Sequence, residues 1–380
     1  MRRRQLTSAF LALLTAGVAM LVLPHRGDTG GWKDTFSPAL PAPSGPYDVG
    51  VRRTLLVDRD RRDPWRPDTE RTLMLDVRYP ADAGSAPLAH YAVASAMTEL
   101  GSLAWAPTEE RRLGLRPDEV NWMFRTASHE WAPPADGSFP VLICSAPPGV
   151  MRTAYTGLAE ELASRGYVVV TLDHPYDSPV VEIYPTRRVI RSPQATVVVG
   201  RAEADSTRIA DIGYVVAGLP TLDRELSDVM DQRRLGLFGW VGSDSEHLTR
   251  LADLPDVSAL AAVAATPAMT GRAPGVPPLL VVDGQQDGQR RDRPRGWLAS
   301  VTVPGATARS FTDDGAVLAQ IAQRYPQTNP VVRRDIGDAQ PLAQRTARQA
   351  LVRFFDIQLR GAPAGTFAME PGVTLDLVVP

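Results

Sequence analysis

The run Phe139-Pro140-Val141-Leu142-Ile143-Cys144, then Tyr155 to Arg165, then Gly166 and Tyr167-Val168-Val169-Val170-Thr171-Leu172, decides the fold class. The first and last of these pieces are almost continuously apolar, the look of strands buried on both faces. Between them Tyr155–Arg165 has helical periodicity, with Leu158, Leu162 and Ala163 on one stripe, and Gly166 closes it as a C-cap. Strand, helix and buried strand in alternation predict a largely parallel sheet with helices on both faces. The pattern continues outward with a helix over Asp205–Leu219 and strands at Leu235–Gly239, Val257–Ala264 and Pro278–Asp283. An amphipathic helix over Gln340–Leu359 turns Leu342, Ala350, Leu351, Phe354 and Phe355 inward.

Composition narrows the function classes. The chain has 380 residues, 44% hydrophobic and 22% charged, with a formal net charge of −2. That size allows one large domain or two ordinary ones. The charge balance argues against a nucleic-acid partner, which requires a basic face to neutralise phosphates. Lys33 is the one lysine among 41 basic residues, a bias that carries no functional weight. A single cysteine, Cys144, excludes an intrachain disulfide and any cysteine-based zinc or iron–sulfur site. No GxGxxG or GxxxxGK[ST] occurs, so nucleotide binding is not expected; no cofactor and no metal are expected. Five histidines remain, His25, His90, His129, His174 and His247, and none follows residue 247.

Arg2-Arg3-Arg4 precede a nearly uncharged run from Leu6 to Pro24, the pattern of an export signal or a single membrane anchor. Residues 1–26 are therefore expected to be a cleaved signal or a retained anchor, with the body extracytoplasmic, secreted or held at the cell membrane. Residues 27–46, rich in Gly, Pro, Ser and Asp, read as a flexible linker. The main domain is expected over 47–361, opening with strands Val51–Val57 and Leu73–Tyr79 around a charged loop, Asp58–Glu70. Residues 83–136 carry helical stretches with interspersed Pro and Trp and are expected to form a cap. Residues 362–380 are expected to be a tail or an edge strand.

Several blocks together carry a resemblance. Cys144-Ser145-Ala146-Pro147-Pro148-Gly149 follows the first buried strand, and Asp173-His174-Pro175-Tyr176-Asp177 follows the second. Leu235-Gly236-Leu237-Phe238-Gly239, Val303-Pro304-Gly305, Ser310-Phe311-Thr312-Asp313 and Phe354-Phe355-Asp356 come later, and Gly45-Pro46-Tyr47-Asp48 opens the domain. In order and spacing this resembles the platelet-activating-factor acetylhydrolase-like branch of the α/β-hydrolase fold, related to the polyester and cutin esterases. The resemblance covers residues 45 to 361. It implies a mostly parallel twisted sheet covered by helices on both faces, with a helical cap insertion, and a serine ester hydrolase site at the carboxyl ends of the strands.

The residues at the implied catalytic positions do not carry that chemistry. Where the family has Gly-His-Ser-x-Gly, this chain reads Gly239-Trp240-Val241-Gly242-Ser243, so the nucleophile position is Val241. No serine in the chain has a glycine two residues before it. Ser243 and Ser245 fall past the turn, where capping or solvated hydroxyls are the ordinary reading. The family's base position is Ala308, and the acid position falls near Ala265-Thr266 or, as in other hydrolases, at Asp287. Without a histidine to orient, Asp287 reads as a solvated loop residue. The oxyanion donor position falls on Pro148, which has no N–H. The pocket is expected to hold Pro148, Trp240, Val241, Asp173, His174, Tyr176 and Asp177. His174 with a neighbouring carboxylate can shuttle protons, although hydrogen bonding that ties down the loop is the simpler role.

Three expectations follow. In the first, the chain is an exported protein of this fold without triad-type ester hydrolysis, whose pocket binds a small apolar molecule or a protein partner. In the second it is a non-hydrolytic enzyme of cyclase or lyase type, and in the third an ester hydrolase with an unrecognised site.

Overall fold

The computed structural model describes residues 35–91, 105–116, 119–186, 188–192, 199–264, 277–284 and 297–378. The N-terminal signal or anchor, Ala265 and Asp287 lie outside the described residues. Among the described residues no helix is long and apolar enough to cross a membrane.

The chain opens with a long hairpin, β1 (Asp48–Asp63) and β2 (Arg66–Ala81). Then come β3 (Leu88–His90), α1 (Trp105–Arg112), β4 (Arg125–Glu130), β5 (Phe139–Ser145), α2 (Thr156–Ser164) and β6 (Val168–Asp173). A small hairpin, β7 (Val180–Ile183) with β8 (Arg188–Arg191), leads to α3 (Arg201–Gly218), α4 (Arg224–Val229), β9 (Met230–Gly239) and α5 (Ser245–Ala252). The chain continues through β10 (Val257–Val263), β11 (Leu279–Asp283), β12 (Leu298–Thr302), α6 (Asp313–Arg324), α7 (Asn329–Ile336), α8 (Leu342–Arg360) and β13 (Thr374–Val378).

The main sheet runs β13-β12-β11-β10-β9-β5-β6-β2-β1-β4-β3. From β6 through β12 every pair is parallel. Strand alternation sends successive residues to opposite layers. Leu142 and Cys144 join Val169, Phe238 and Ala261 beneath α2 and α8. Val141 and Ile143 join Val168, Val170 and Leu237 beneath α3 and α5. The expected α/β architecture is present, with helices on both faces. Register then places the site: Ser145 lies opposite Leu172 of β6 and Gly239 of β9, so three strand ends meet side by side.

Three expectations are corrected. Asp58–Glu70 is not a loop: the hairpin continues through it and turns only at Pro64-Trp65. Its charges are neutralised in pairs, Arg61 with Asp58 and the fully buried Arg71 with Asp63. Residues 36–46 are not a free tether. Ala39 and Gln320 exchange hydrogen bonds, Ser44 N–H donates to Glu161, and Gly45 N–H donates to the Ser164 hydroxyl. A proline-rich segment is already extended, so fixing it costs little entropy and a few bonds hold it. The described part of 83–136 is not a helical cap. It supplies β3 and β4 to the sheet edge and one short helix, and Leu113, Leu115, Trp122 and Phe124 pack against Leu318 and Ile321 of α6. At the other edge β13 pairs antiparallel with β12.

Candidate functional site

After β9 the chain turns through Trp240-Val241-Gly242-Ser243 into α5, which Asp244 caps by accepting from His247 N–H. Left-handed backbone falls on Gly239 (φ 88°) and Gly242 (φ 108°) and not on Val241. A Cβ at Gly239 would lie 2.4 Å from the Ser145 carbonyl oxygen, so strand ends pack there too closely for any other residue. A nucleophile elbow holds its apex side chain out toward substrate on a strained backbone. Here the apex side chain is 0% exposed and belongs to the core beneath α3 and α5. Trp240 beside it is buried as well.

The loop after β5 offers no compensating donors over residues 147–150. Pro147 and Pro148 have no N–H, Gly149 N–H donates to the Asp177 carbonyl at 3.3 Å, and Val150 N–H donates to the Pro147 carbonyl at 3.0 Å. Pro148 is exposed at the tip of this turn. Ala308, where the resemblance implies a base, is exposed on a short 3₁₀ turn, Ala308–Phe311.

Beneath the elbow lies a buried relay that sequence reasoning missed. Ser145 Oγ and His174 Nε2 are 2.9 Å apart, and His174 Nδ1 is 2.8 Å from Asp211 Oδ2. Asp211 also accepts from Arg71, whose guanidinium reaches Asp63 and the Pro175 carbonyl. Burial would raise the Asp211 pKa, but the Arg71 charge and the His174 hydrogen bond outweigh it and hold the carboxyl well below the usual range. Burial, then the Arg208 charge, pulls His174 down to about 4 against the Asp211 hydrogen bond. His174 is therefore neutral at pH 7. Its Nδ1–H donates to Asp211, and Nε2 accepts from the Ser145 hydroxyl.

This is the donor order of a serine-hydrolase relay, but it is sealed. Ser145 is 2% exposed, and Trp240 N–H covers its carbonyl at 2.8 Å. The relay ties the ends of β5 and β6 to α3 and to the β1–β2 hairpin. Because His174 is depressed, the unfolded chain takes up a proton at about 6.5 while the folded protein does not until about 4. Stability is thus complete above the first value and falls as pH drops toward the second, by about 3 kcal/mol. Denaturant unfolding across this range is expected to show that slope, and His174→Gln to flatten it.

The remaining expected residues divide. Asp173 accepts from Arg152 N–H at 2.7 Å and pairs with the Arg152 guanidinium, which also reaches Asp76. It is therefore part of an ionic tie and not the partner of His174; that partner is Asp211. Asp177 binds Arg208 Nε, and the Arg208 guanidinium lies over the Trp240 ring, 5.4 Å from its centroid. Tyr176 (φ 70°) stacks on Trp65 of the β1–β2 turn at 6.5 Å between centroids, and so leaves the His174 cluster. Burial pushes the Cys144 thiol well above its ordinary value, as suits a structural cysteine.

A second, partly buried cluster lies just past the elbow, at the start of α5. Ser243 Oγ is 2.7 Å from Asp205 Oδ2 and 3.0 Å from His247 Nδ1. Asp205, Arg208 and Asp211 share one helix at spacings of three, and all three are buried. Polar residues repeating along the inward stripe of a helix were the one signal in the sequence that pointed to these partners.

Residues 37–208 match the family described as platelet-activating factor acetylhydrolase, isoform II. Among solved structures, a ferulic acid esterase from Streptomyces cinnamoneus is 26% identical, with a TM-score of 0.69 over 89% of this chain and 99% of that one. Among curated proteins none matches the chain.

Proposed function

From a chain of the platelet-activating-factor acetylhydrolase-like branch of the α/β-hydrolases, we propose a function without serine-ester hydrolysis at the elbow, the inherited pocket instead binding a small apolar molecule. One observation carries this reading: the apex residue is a valine, fully buried, with the left-handed backbone displaced onto its glycine neighbours. The proline turn at 147–150 and the absence of any histidine beyond His247 support it further. Loss of one oxyanion donor alone costs about 10²–10³ in rate, and here nucleophile and base positions are changed too.

A fluorophosphonate probe with short-chain nitrophenyl esters tests the reading. We expect neither stoichiometric labelling nor turnover above the free-solution rate. Labelling of Ser145, Ser243 or any other serine together with turnover overturns it. The arginine-flanked apolar run at 6–24 supports export, and fractionation of the full chain between cytoplasm, membrane and medium tests that part. A second reading, a non-hydrolytic enzyme, draws support from the Ser243 cluster.

A further inference from the structure

The histidine nearest the elbow, His247, sits in the first turn of α5, where its N–H is capped by Asp244. Gly242 makes room for it: a Cβ there would lie 2.6 Å from His247 Cβ. The His247 ring lies against Trp240, 6.1 Å between centroids, and its side chain is 12% exposed. Ser243 has one hydroxyl proton and two neighbours for it. The Asp205 carboxylate at 2.7 Å is the shorter contact and the stronger acceptor, so the proton goes there. The 3.0 Å contact to His247 must then be made by Nδ1–H donating to Ser243 Oγ. Asp244 Oδ1, 3.3 Å from the same nitrogen, favours a proton on it too. Competing against this arrangement is Ser243 N–H, which would need Nδ1 as acceptor but lies 3.4 Å away. With Nδ1 protonated, Nε2 keeps its lone pair and makes no hydrogen bond to another described residue.

We propose that His247, oriented by Ser243 and Asp205, is a general base at the elbow for an apolar substrate carrying an acidic C–H bond. A histidine held through one nitrogen and basic at the other is the arrangement that proton abstraction needs. Nε2 takes the proton and the C–H electron pair stays with the substrate. There it either forms an enolate that is reprotonated or expels a leaving group from the adjacent atom. Ser243 and Asp205 are positioning residues. The proposal rests on the reading that the elbow binds without attacking an ester.

The probe is 5-nitrobenzisoxazole, an apolar molecule without an ester. Loss of its C3 proton to Nε2 turns the C–H pair into the third C–N bond, and the N–O bond breaks to leave 2-cyano-4-nitrophenolate. We expect elimination at least about 10²-fold faster than with equimolar imidazole, abolished in His247→Gln. Ser243→Ala and Asp205→Asn are expected to lower it roughly tenfold, with Ser243→Thr restoring it. In parallel, ¹⁵N spectra should report the Nδ1–H tautomer of neutral His247, reverting to Nε2–H in Ser243→Ala. A wild-type rate equal to that of imidazole, an unchanged rate in His247→Gln, or an Nε2–H tautomer in the wild type overturns the proposal. If His247→Gln does not fold, the Ser243→Ala and Ser243→Thr pair decides it. Fluorophosphonate labelling fails or succeeds independently, so failure of the binding reading is told apart from failure of this one.

Discussion

Replacing Asp211 with alanine is expected to destabilise the fold by about 3–5 kcal/mol. The carboxylate is fully buried and meets three groups at once: Arg71, Arg61 and His174. Arg71 is itself fully buried, and its contacts with Asp63, Asp211 and the Pro175 carbonyl compensate it for leaving water. Removing one partner strands a charge inside the protein, and the cost is that of desolvation rather than of one lost contact. The same change frees His174 Nδ1–H and so loosens the Ser145 bond at the end of β5. Equilibrium unfolding in urea measures the effect. A surface pair supplies the contrast: Arg333 and Asp338 are 2.7 Å apart, but both are solvent-exposed, and Arg333→Ala should leave the unfolding curve unchanged. An Asp211→Ala variant within 1 kcal/mol of wild type would show that the relay is not a structural tie.

The second large effect concerns rebuilding. Val241→Ser with Ala308→His restores two residue types of the family's site, yet esterase turnover is expected to stay near background. The serine would enter a buried, unstrained position, and the turn after β5 would still present no donor from Pro147 or Pro148. Adding Pro148→Gly supplies one backbone N–H, and on oxyanion energetics should raise the rate of the pair by about 10²–10³. Turnover of nitrophenyl butyrate by the double and triple variants checks this. Full activity from the double variant alone would sink the oxyanion argument, because the missing donor would then have been irrelevant.

Much of the architecture is legible in the sequence. The apolar runs at 139–144 and 167–172 have the length and flanking turns of strands buried on both faces, and Gly166 ends the helix between them because glycine tolerates its left-handed backbone (φ 91°). The hairpin tip differs from the loop its charged residues predict. Asp58, Arg61, Asp63 and Arg71 lie in strands because each meets an opposite charge. The partner of His174 is hidden from the sequence for a related reason. Asp173 and Asp177 are its neighbours in the chain, whereas Asp211 reaches it from a helix 37 residues later.

Taken alone, the sequence determined the α/β class and the family resemblance, which sets Val241 where a nucleophile is expected, and it carries no histidine after residue 247. These are matters of residue type and local periodicity, which the order of amino acids carries directly. Only the tertiary structure decided which side chains meet. It brought Ser145, His174 and Asp211 into one sealed line beneath the elbow, and Asp205, Ser243 and His247 into another just past it. Such meetings depend on the register of β5, β6 and β9 and on the rotation of one helix above them. A hydrogen bond is decided within a few tenths of an ångström, and only the packing of the whole sheet holds its partners to that distance.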